Sequence, residues 1–179
     1  MCKITERKLN LLMDLYQLTM SQGYFEGEYK NAMATFDMFF RKVPDEGGYA
    51  ITAGLEQVIE YITTLSFDKE EIEFLKSLNI FNKQFLDYLA NFKFKGNVYA
   101  IKEGTPVFPN EPLITVEAPI IDAQLIETMV LLTMNHQSLI ATKANRIVHS
   151  AKGRGVMEFG SRRAQGYDGA LYGTRATFI

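Results

Sequence analysis

The sequence predicts an α+β domain over residues 1–150, followed over residues 151–179 by the first strand and helix of an incomplete α/β domain. Helical and strand patterns alternate irregularly up to residue 150, and a new strand–loop–helix pattern starts only near Val156. One strand and one helix cannot bury their own apolar surface. We therefore expect the second domain to continue beyond Ile179.

The helices are predicted from the spacing of apolar residues. Leu11, Leu15 and Leu18 recur at helical intervals and give one apolar face to a helix over residues 9–25. The same criterion predicts helices over residues 49–65, 69–78, 83–92, 121–150 and 168–179.

The strands are predicted from short aromatic or β-branched runs bounded by Gly and Pro. These runs lie at residues 34–41, 96–101, 112–117 and 156–159. A turn over residues 44–48 follows the first of them, and a polar turn over residues 161–166 follows the last. The last strand and the helix over residues 168–179 form the beginning of the second domain.

Composition limits the function classes. Hydrophobic residues make up 47% of the 179 residues and charged residues 22%, a balance typical of a soluble globular protein. The net charge of −2 argues against general binding to nucleic acid or an anionic membrane. Any phosphate must therefore be bound by a few placed arginines and backbone N–H groups.

Three further observations concern the compartment and the chemistry of the single cysteine. The apolar stretch over residues 120–140 is interrupted by Asp122 and Glu127, which favours a buried helix over a membrane span. The N-terminus lacks the apolar core of a signal peptide, so a cytoplasmic protein is expected. Cys2 is the single cysteine, which excludes an intrachain disulfide and argues against a thiolate metal site.

The segment MEFGSRRAQG is the first candidate for chemistry. Gly160 permits close backbone approach, and Arg162 and Arg163 offer forked donors that match phosphate or carboxylate oxygens. In α/β barrels, catalytic residues lie just past the end of a strand, as this segment would. A solvated basic turn explains the same composition, and both interpretations stay open.

Other positions also allow two interpretations. Tyr16 can be a core or interface aromatic, or its ring can stack on a flat heteroaromatic ligand. Arg41, at the end of a predicted strand, can bind an anion or protect a sheet edge. His136 and His149 are thirteen residues apart, which is not the spacing of a metal-ligand pair, and a structural role is favoured for both.

Read together, five segments resemble one family. They are MDLYQLTMSQGYF, ATFDMFFRKVPDEGGYAITAGLEQVIEYI, EGTPVFPNEPLITVEAPIIDAQLIET, LIATKANRI and EFGSRRAQGYDGALY. In this order they resemble segments of nicotinate phosphoribosyltransferases, and the likeness extends from Leu9 to Ile179. The resemblance implies that the first domain packs on an irregular TIM-like α/β barrel, of which residues 151–179 are the start. It also implies a homodimer with active sites shared across the interface.

The resemblance implies a reaction in NAD biosynthesis. Nicotinate is joined to 5-phosphoribosyl-1-pyrophosphate (PRPP), giving nicotinate mononucleotide and pyrophosphate; ATP hydrolysis drives the reaction through a phosphorylated histidine, and Mg²⁺ accompanies the pyrophosphate. Neither His136 nor His149 matches the motif of that histidine, which is expected downstream of Ile179. We therefore assign no catalytic residue and no metal ligand to this chain, and expect residues 1–179 alone to be inactive.

The resemblance also implies binding roles. Tyr16 and Phe159 would sandwich the pyridine ring, with Tyr16 reaching in from the partner subunit, and Arg162 would bind substrate anions near the ring. Arg41, Arg162 and Arg163 would bind the phosphates of PRPP, with Arg163 the weaker candidate.

Two alternatives remain at this stage. A phosphoribosyltransferase that uses nicotinamide or quinolinate shares the same chemistry. A non-catalytic lipoyl- or biotinyl-carrier domain is suggested by residues 103–117, which resemble the hairpins of such domains. That run contains no lysine for attachment, so a structural β layer is the better interpretation.

Overall fold

The computed structural model describes residues 8–43 and 47–179. In chain order the elements are α1 Leu15–Glu26, β1 Met33–Phe39, β2 Ala50–Ile51, α2 Leu55–Thr64, α3 Lys69–Ser77, α4 Lys83–Ala90, β3 Asn97–Ala100, β4 Pro106–Val107, β5 Pro112–Pro119, α5 Ile120–Ala151, a 3₁₀ helix Ser161–Arg163 and α6 Tyr167–Ala176. One sheet has the strand order β1-β5-β3, and β2 pairs antiparallel with β4 in another. The described chain is therefore a mixed α/β protein with small sheets.

The first of two compact units comprises the chain up to Phe36, Glu60–Asn97 and Val116–Met129. Its core is aromatic and aliphatic, and Phe85 and Leu89 on one face of α4 are fully buried. Asn82 caps α4 by accepting a hydrogen bond from the Phe85 N–H at 2.8 Å. The polar N-cap thus begins the helix, and the apolar face of α4 packs into the core.

The second unit comprises Asp37–Ile59, Val98–Thr115 and Val130–Ile179. Here β2 and the residues just after it are held by hydroxyl groups of α5, and β2 also by β4. The Thr142 Oγ1 accepts the Ile51 N–H at 2.8 Å, and the Ser138 Oγ accepts the Ala53 N–H at 3.0 Å. Because Ser138 and Thr142 are one helical turn apart, both hydroxyls lie on the same face of α5.

The prediction of a helix over residues 49–65 was wrong at its start. The chain forms β2 first, and α2 begins only at Leu55. Gly54, at φ +109°, makes the turn between them, and a Cβ there would lie 2.9 Å from the Thr133 carbonyl oxygen. Only glycine combines this φ with so close an approach of another backbone.

The predicted strand over residues 156–159 was also wrong, since residues 154–160 form neither strand nor helix. A strand needs a hydrogen-bonded neighbour, and no strand among the described residues pairs with this segment. The start of a TIM-like barrel and a domain boundary after residue 150 stay predictions. Pro44, Asp45 and Glu46, part of the predicted turn over residues 44–48, lie outside the described residues.

The longest element, α5, has 32 residues and agrees with the predicted helix over residues 121–150. Several of its polar side chains are buried, among them Asp122, Gln124 and Gln137. Among helices of the described ranges, none has the length and apolar character that crossing a bilayer requires.

Candidate functional site

Residues 159–163 form an exposed corner in the second unit, which we call the arginine corner. The 3₁₀ helix Ser161–Arg163 forms it, and the Arg163 N–H donates to the Gly160 carbonyl at 2.8 Å. Phe159, the first residue of the corner, is 73% exposed. So exposed an aromatic side chain is not part of the core, and its ring is available to a ligand or another chain.

The two guanidinium groups of the arginine corner are also accessible. Arg162 and Arg163 are exposed, and within residues 8–43 and 47–179 neither guanidinium forms a hydrogen bond or ion pair. Adjacent forked donors without a protein acceptor suit the oxygens of a carboxylate or phosphate. The arrangement therefore brings an aromatic ring and two guanidinium groups together on five consecutive residues.

A salt-bridge cluster anchors the helix that follows this corner. Gly166, at φ +84°, starts α6, and Arg175 near its end forms a bidentate pair with Glu103, at 3.0 and 2.8 Å. Arg175 also donates to Glu56 at 2.6 Å and to Gln137 at 3.0 Å. This cluster, which the sequence did not predict, fixes α6 within the second unit.

Glu103 is the centre of that cluster. Its carboxylate also accepts the backbone N–H groups of Gly54 and Leu55, at 2.5 and 3.0 Å. Partial burial raises the pKa of Glu103, but the hydrogen bonds from Arg175 and from Gly54 outweigh it and hold the pKa below its usual value. Glu103 is therefore ionised at neutral pH, and it places a negative charge at the N-terminus of α2.

Tyr16 lies in the first turn of α1, in the first unit. The residue is 44% exposed, while its hydroxyl donates to Oε2 of Glu127 at 3.0 Å. Partial burial raises the pKa of the phenol, and the bond to Glu127 raises it further. The hydroxyl therefore remains a hydrogen-bond donor at neutral pH, while part of the ring remains accessible.

Arg41 follows β1 in the second unit. It is exposed, and no side-chain partner is found among the described residues. Of the predicted site residues, Phe159, Arg162 and Arg163 thus lie on one segment, and Arg41 elsewhere in the same unit. Tyr16 belongs to the other unit.

The family model for the nicotinate phosphoribosyltransferase (NAPRTase) N-terminal domain matches residues 11–135. That match covers most of the chain and includes Tyr16, Arg41 and Glu127. The chain belongs to the nicotinate phosphoribosyltransferase family. The resemblance stated from the sequence is confirmed, and family membership leaves no support for the carrier-domain alternative.

Individual members of the nicotinate phosphoribosyltransferase family agree with this. The chain is 44% identical over 169 residues to nicotinate phosphoribosyltransferase pncB2 of Mycobacterium tuberculosis, covering 94% of this chain and 36% of that protein. It is 43% identical to the Bacillus subtilis enzyme, covering 96% of this chain and 35% of the relative. The chain spans about a third of the length of these curated relatives.

Solved structures support the fold. The crystal structure of human nicotinic acid phosphoribosyltransferase matches with a TM-score of 0.85 and 33% identity, covering 93% of this chain and 34% of that one. A nicotinate-nucleotide pyrophosphorylase from Pyrococcus furiosus matches with a TM-score of 0.69 at 23% identity, which shows likeness of fold alone.

Family membership does not itself test the site residues, whose roles stay predictions. Sequence reasoning missed two sets of contacts in these units: Glu127, which accepts the Tyr16 hydroxyl, and Arg175 with Glu103, which anchors α6. Glu127 did give a signal, because it interrupts an apolar stretch. Its partner lies 111 residues away, which no local pattern reveals.

Proposed function

We propose that this chain contributes to the substrate site of an enzyme that condenses nicotinate with PRPP to give nicotinate mononucleotide and pyrophosphate in NAD biosynthesis. The observation that supports this most directly is membership of the nicotinate phosphoribosyltransferase family. The exposed aromatic rings and unpaired guanidinium groups described above suit that chemistry. A pyridine nitrogen attacks an anomeric carbon while pyrophosphate leaves, so the ring must be aimed and negative charge neutralised.

In this proposal Tyr16 and Phe159 hold the pyridine ring between their faces. Both rings are accessible, and stacking of aromatic rings contributes about 0.5–1.5 kcal/mol beyond the burial of area. Arg162 binds the carboxylate of nicotinate or a neighbouring phosphate, and Arg41 and Arg163 bind phosphates of PRPP. Charge-assisted hydrogen bonds of this kind contribute about 1.5–3 kcal/mol each.

We further propose that the enzyme is a cytoplasmic homodimer in which Tyr16 reaches the arginine corner of the partner subunit. Exposed apolar side chains lie close to Tyr16 in the chain: Leu15 and Met20 on α1, and Leu12 just before it. An exposed apolar face beside a ligand-binding ring suits a subunit interface.

ATP coupling, a ligase-type classification and Mg²⁺ also belong to the proposal. No group of three or more His, Cys, Asp or Glu side chains in the described ranges could hold a metal ion. We assign no described residue to Mg²⁺ or ATP, and no step of the proposal runs through either. Neither His136 nor His149 is proposed as the phosphorylated histidine, and we propose that residues 1–179 are inactive by themselves.

The test measures nicotinate mononucleotide formation by the natural gene product that contains this chain. Tyr16→Ala and Phe159→Ala should each raise the KM for nicotinate about two- to tenfold, and Arg162→Ala about 10- to 150-fold. These factors follow from the energies above at about 1.4 kcal/mol per factor of ten. Tyr29→Ala and Arg154→Ala, which remove exposed residues of the same types, are the matched controls. Turnover of nicotinamide or quinolinate in preference to nicotinate would overturn the proposal.

Shared active sites have a separate test. Subunits carrying Tyr16→Ala are mixed with subunits carrying Arg162→Ala under conditions that exchange subunits. If the sites are shared, each mixed dimer has one site with both residues intact, so about a quarter of the wild-type activity returns. If both residues of a site come from one subunit, no intact site forms and the activity does not return.

A further inference from the structure

The hydroxyl of Tyr16 donates to the carboxylate of Glu127, which a second hydrogen bond also holds in place. Oε2 of Glu127 accepts the Tyr16 hydroxyl at 3.0 Å and also accepts Nε2 of Gln124 at 2.7 Å. Gln124 is buried on α5, one helical turn before Glu127. The acceptor therefore has little freedom to move with the tyrosine or to turn toward solvent.

The backbone end of Tyr16 is fixed as well. Its neighbour Gln17 is fully buried, and the Nε2 of Gln17 donates to the Gln124 carbonyl at 2.6 Å. The Oε1 of Gln17 accepts the Thr128 hydroxyl at 2.6 Å and the Asp14 N–H at 3.1 Å. These bonds hold the first turn of α1 against the first turns of α5.

Fixing both ends of the side chain fixes the plane of its ring. The backbone and the phenol oxygen define the long axis of the tyrosine. Because a phenolic O–H bond prefers the plane of the ring, an acceptor on one side also sets the rotation about that axis. A half-exposed ring held in this way presents the same face before and after a ligand arrives.

We propose that Glu127 is a positioning residue that holds the Tyr16 ring in the orientation needed to stack on the pyridine substrate. This inference rests on the proposed function, in which Tyr16 contacts that ring. Without the bond, the tyrosine has to be ordered when nicotinate binds, which weakens binding by about two- to tenfold for one immobilised side chain. Glu127 lies behind the phenol and needs no contact with the substrate.

The experiment uses the natural gene product that contains this chain, with nicotinate and PRPP titrated separately. Glu127→Ala removes the acceptor and Tyr16→Phe removes the donor, and each should raise the KM for nicotinate about two- to tenfold. The double variant should be no worse than the worse single variant, because both changes remove the same bond. Glu127→Gln keeps a carbonyl acceptor and should restore the KM for nicotinate to near the wild-type value.

Tyr88→Phe is the matched control. The Tyr88 hydroxyl, on α4, faces Asp122, another carboxylate of α5, at 3.4 Å, so this variant removes the same kind of group from a contact with the same helix without touching Tyr16. It should leave the KM for nicotinate unchanged. None of the variants should change the KM for PRPP.

Three results would overturn the inference. They are an unchanged KM for nicotinate in Glu127→Ala, an additive loss in the double variant, or an equal loss in Tyr88→Phe. If these occur while Tyr16→Ala still raises the KM, the positioning role fails and the proposed function survives. If Tyr16→Ala itself has no effect on the KM for nicotinate, the proposed role of Tyr16 fails and the positioning role fails with it.

Discussion

Replacing Arg175 by methionine tests whether the cluster around Glu103 stabilises the second unit. The variant keeps an unbranched side chain but removes the guanidinium that Glu103, Glu56 and Gln137 share. Breaking a fully buried ion pair costs about 3–5 kcal/mol. Because the side chains of Arg175 and Glu103 remain 25% and 20% exposed, we expect a smaller loss of unfolding free energy, about 2–3 kcal/mol.

Two variants separate this loss from a general effect of charge. Arg175→Lys keeps the charge but cannot form the bidentate pair, so its loss should be intermediate. Glu56→Gln removes a carboxylate that is 70% exposed, and it should change the unfolding free energy by less than about 1 kcal/mol. The geometry of the cluster predicts that the loss of unfolding free energy decreases in the order Arg175→Met, Arg175→Lys, Glu56→Gln. A change of net charge alone would not produce this order.

Thermal unfolding and hydrogen exchange measure the effect in the natural gene product. A loss of 2–3 kcal/mol lowers Tm by about 4–12 °C for a domain of 150–250 residues. The amide protons of α6 should exchange faster in Arg175→Met, since the helix loses its anchor. Equal Tm changes for Arg175→Met and Glu56→Gln, with unchanged exchange in α6, would refute the reasoning.

Three other predictions follow from single residues. Because the pKa of Glu103 is lowered on folding, its ionised carboxylate contributes fully to the unfolding free energy above the ordinary pKa of 4.5. That contribution is lost as pH falls through the lowered pKa, so the unfolding free energies of wild type and Glu103→Gln should converge in acid. Burial raises the pKa of Asp122, although the carboxylate accepts a hydrogen bond from the Lys95 backbone N–H. The unfolding free energy of wild type relative to Asp122→Asn should therefore fall as pH rises from about 4 through that raised pKa. Gly54→Ala should lower the unfolding free energy by more than about 1 kcal/mol in chemical denaturation, because of the positive φ and the 2.9 Å approach to the Thr133 carbonyl.

The sequence predicted those elements whose determinants are local. Helices α3 and α4 carry their own N-caps, Asp68 and Asn82, followed by apolar residues at helical spacing, and the observed ends differ from the prediction by at most two residues. The short pair β2–β4 was missed, because two-residue strands have no periodicity. The hydroxyl groups that hold β2 come from α5, roughly 90 residues further along the chain.

The same distinction applies to the candidate site. The motifs around Tyr16 and Phe159 selected residues that prove to be exposed, as a ligand-binding role requires. Their supports could not be predicted, because the Tyr16–Glu127 and Glu103–Arg175 contacts join residues 111 and 72 positions apart. Glu127 was noticed only as an obstacle to a membrane span. Its contact with Tyr16 depends on which face of α5 meets α1, and that is a property of the fold.

In each unit the chain near an exposed candidate side chain is anchored by polar groups that are buried or partly buried. Tyr16 is followed by the fully buried Gln17, and the arginine corner is followed by α6, which Arg175 fixes to Glu103. An exposed side chain has few packing contacts that could fix its orientation. Its geometry therefore has to be set by neighbouring groups that are held by hydrogen bonds. Substitutions at the anchors should therefore alter binding and stability together, while substitutions at the exposed positions should alter binding with little change in stability. That contrast separates a prearranged binding surface from residues that are exposed only because nothing covers them.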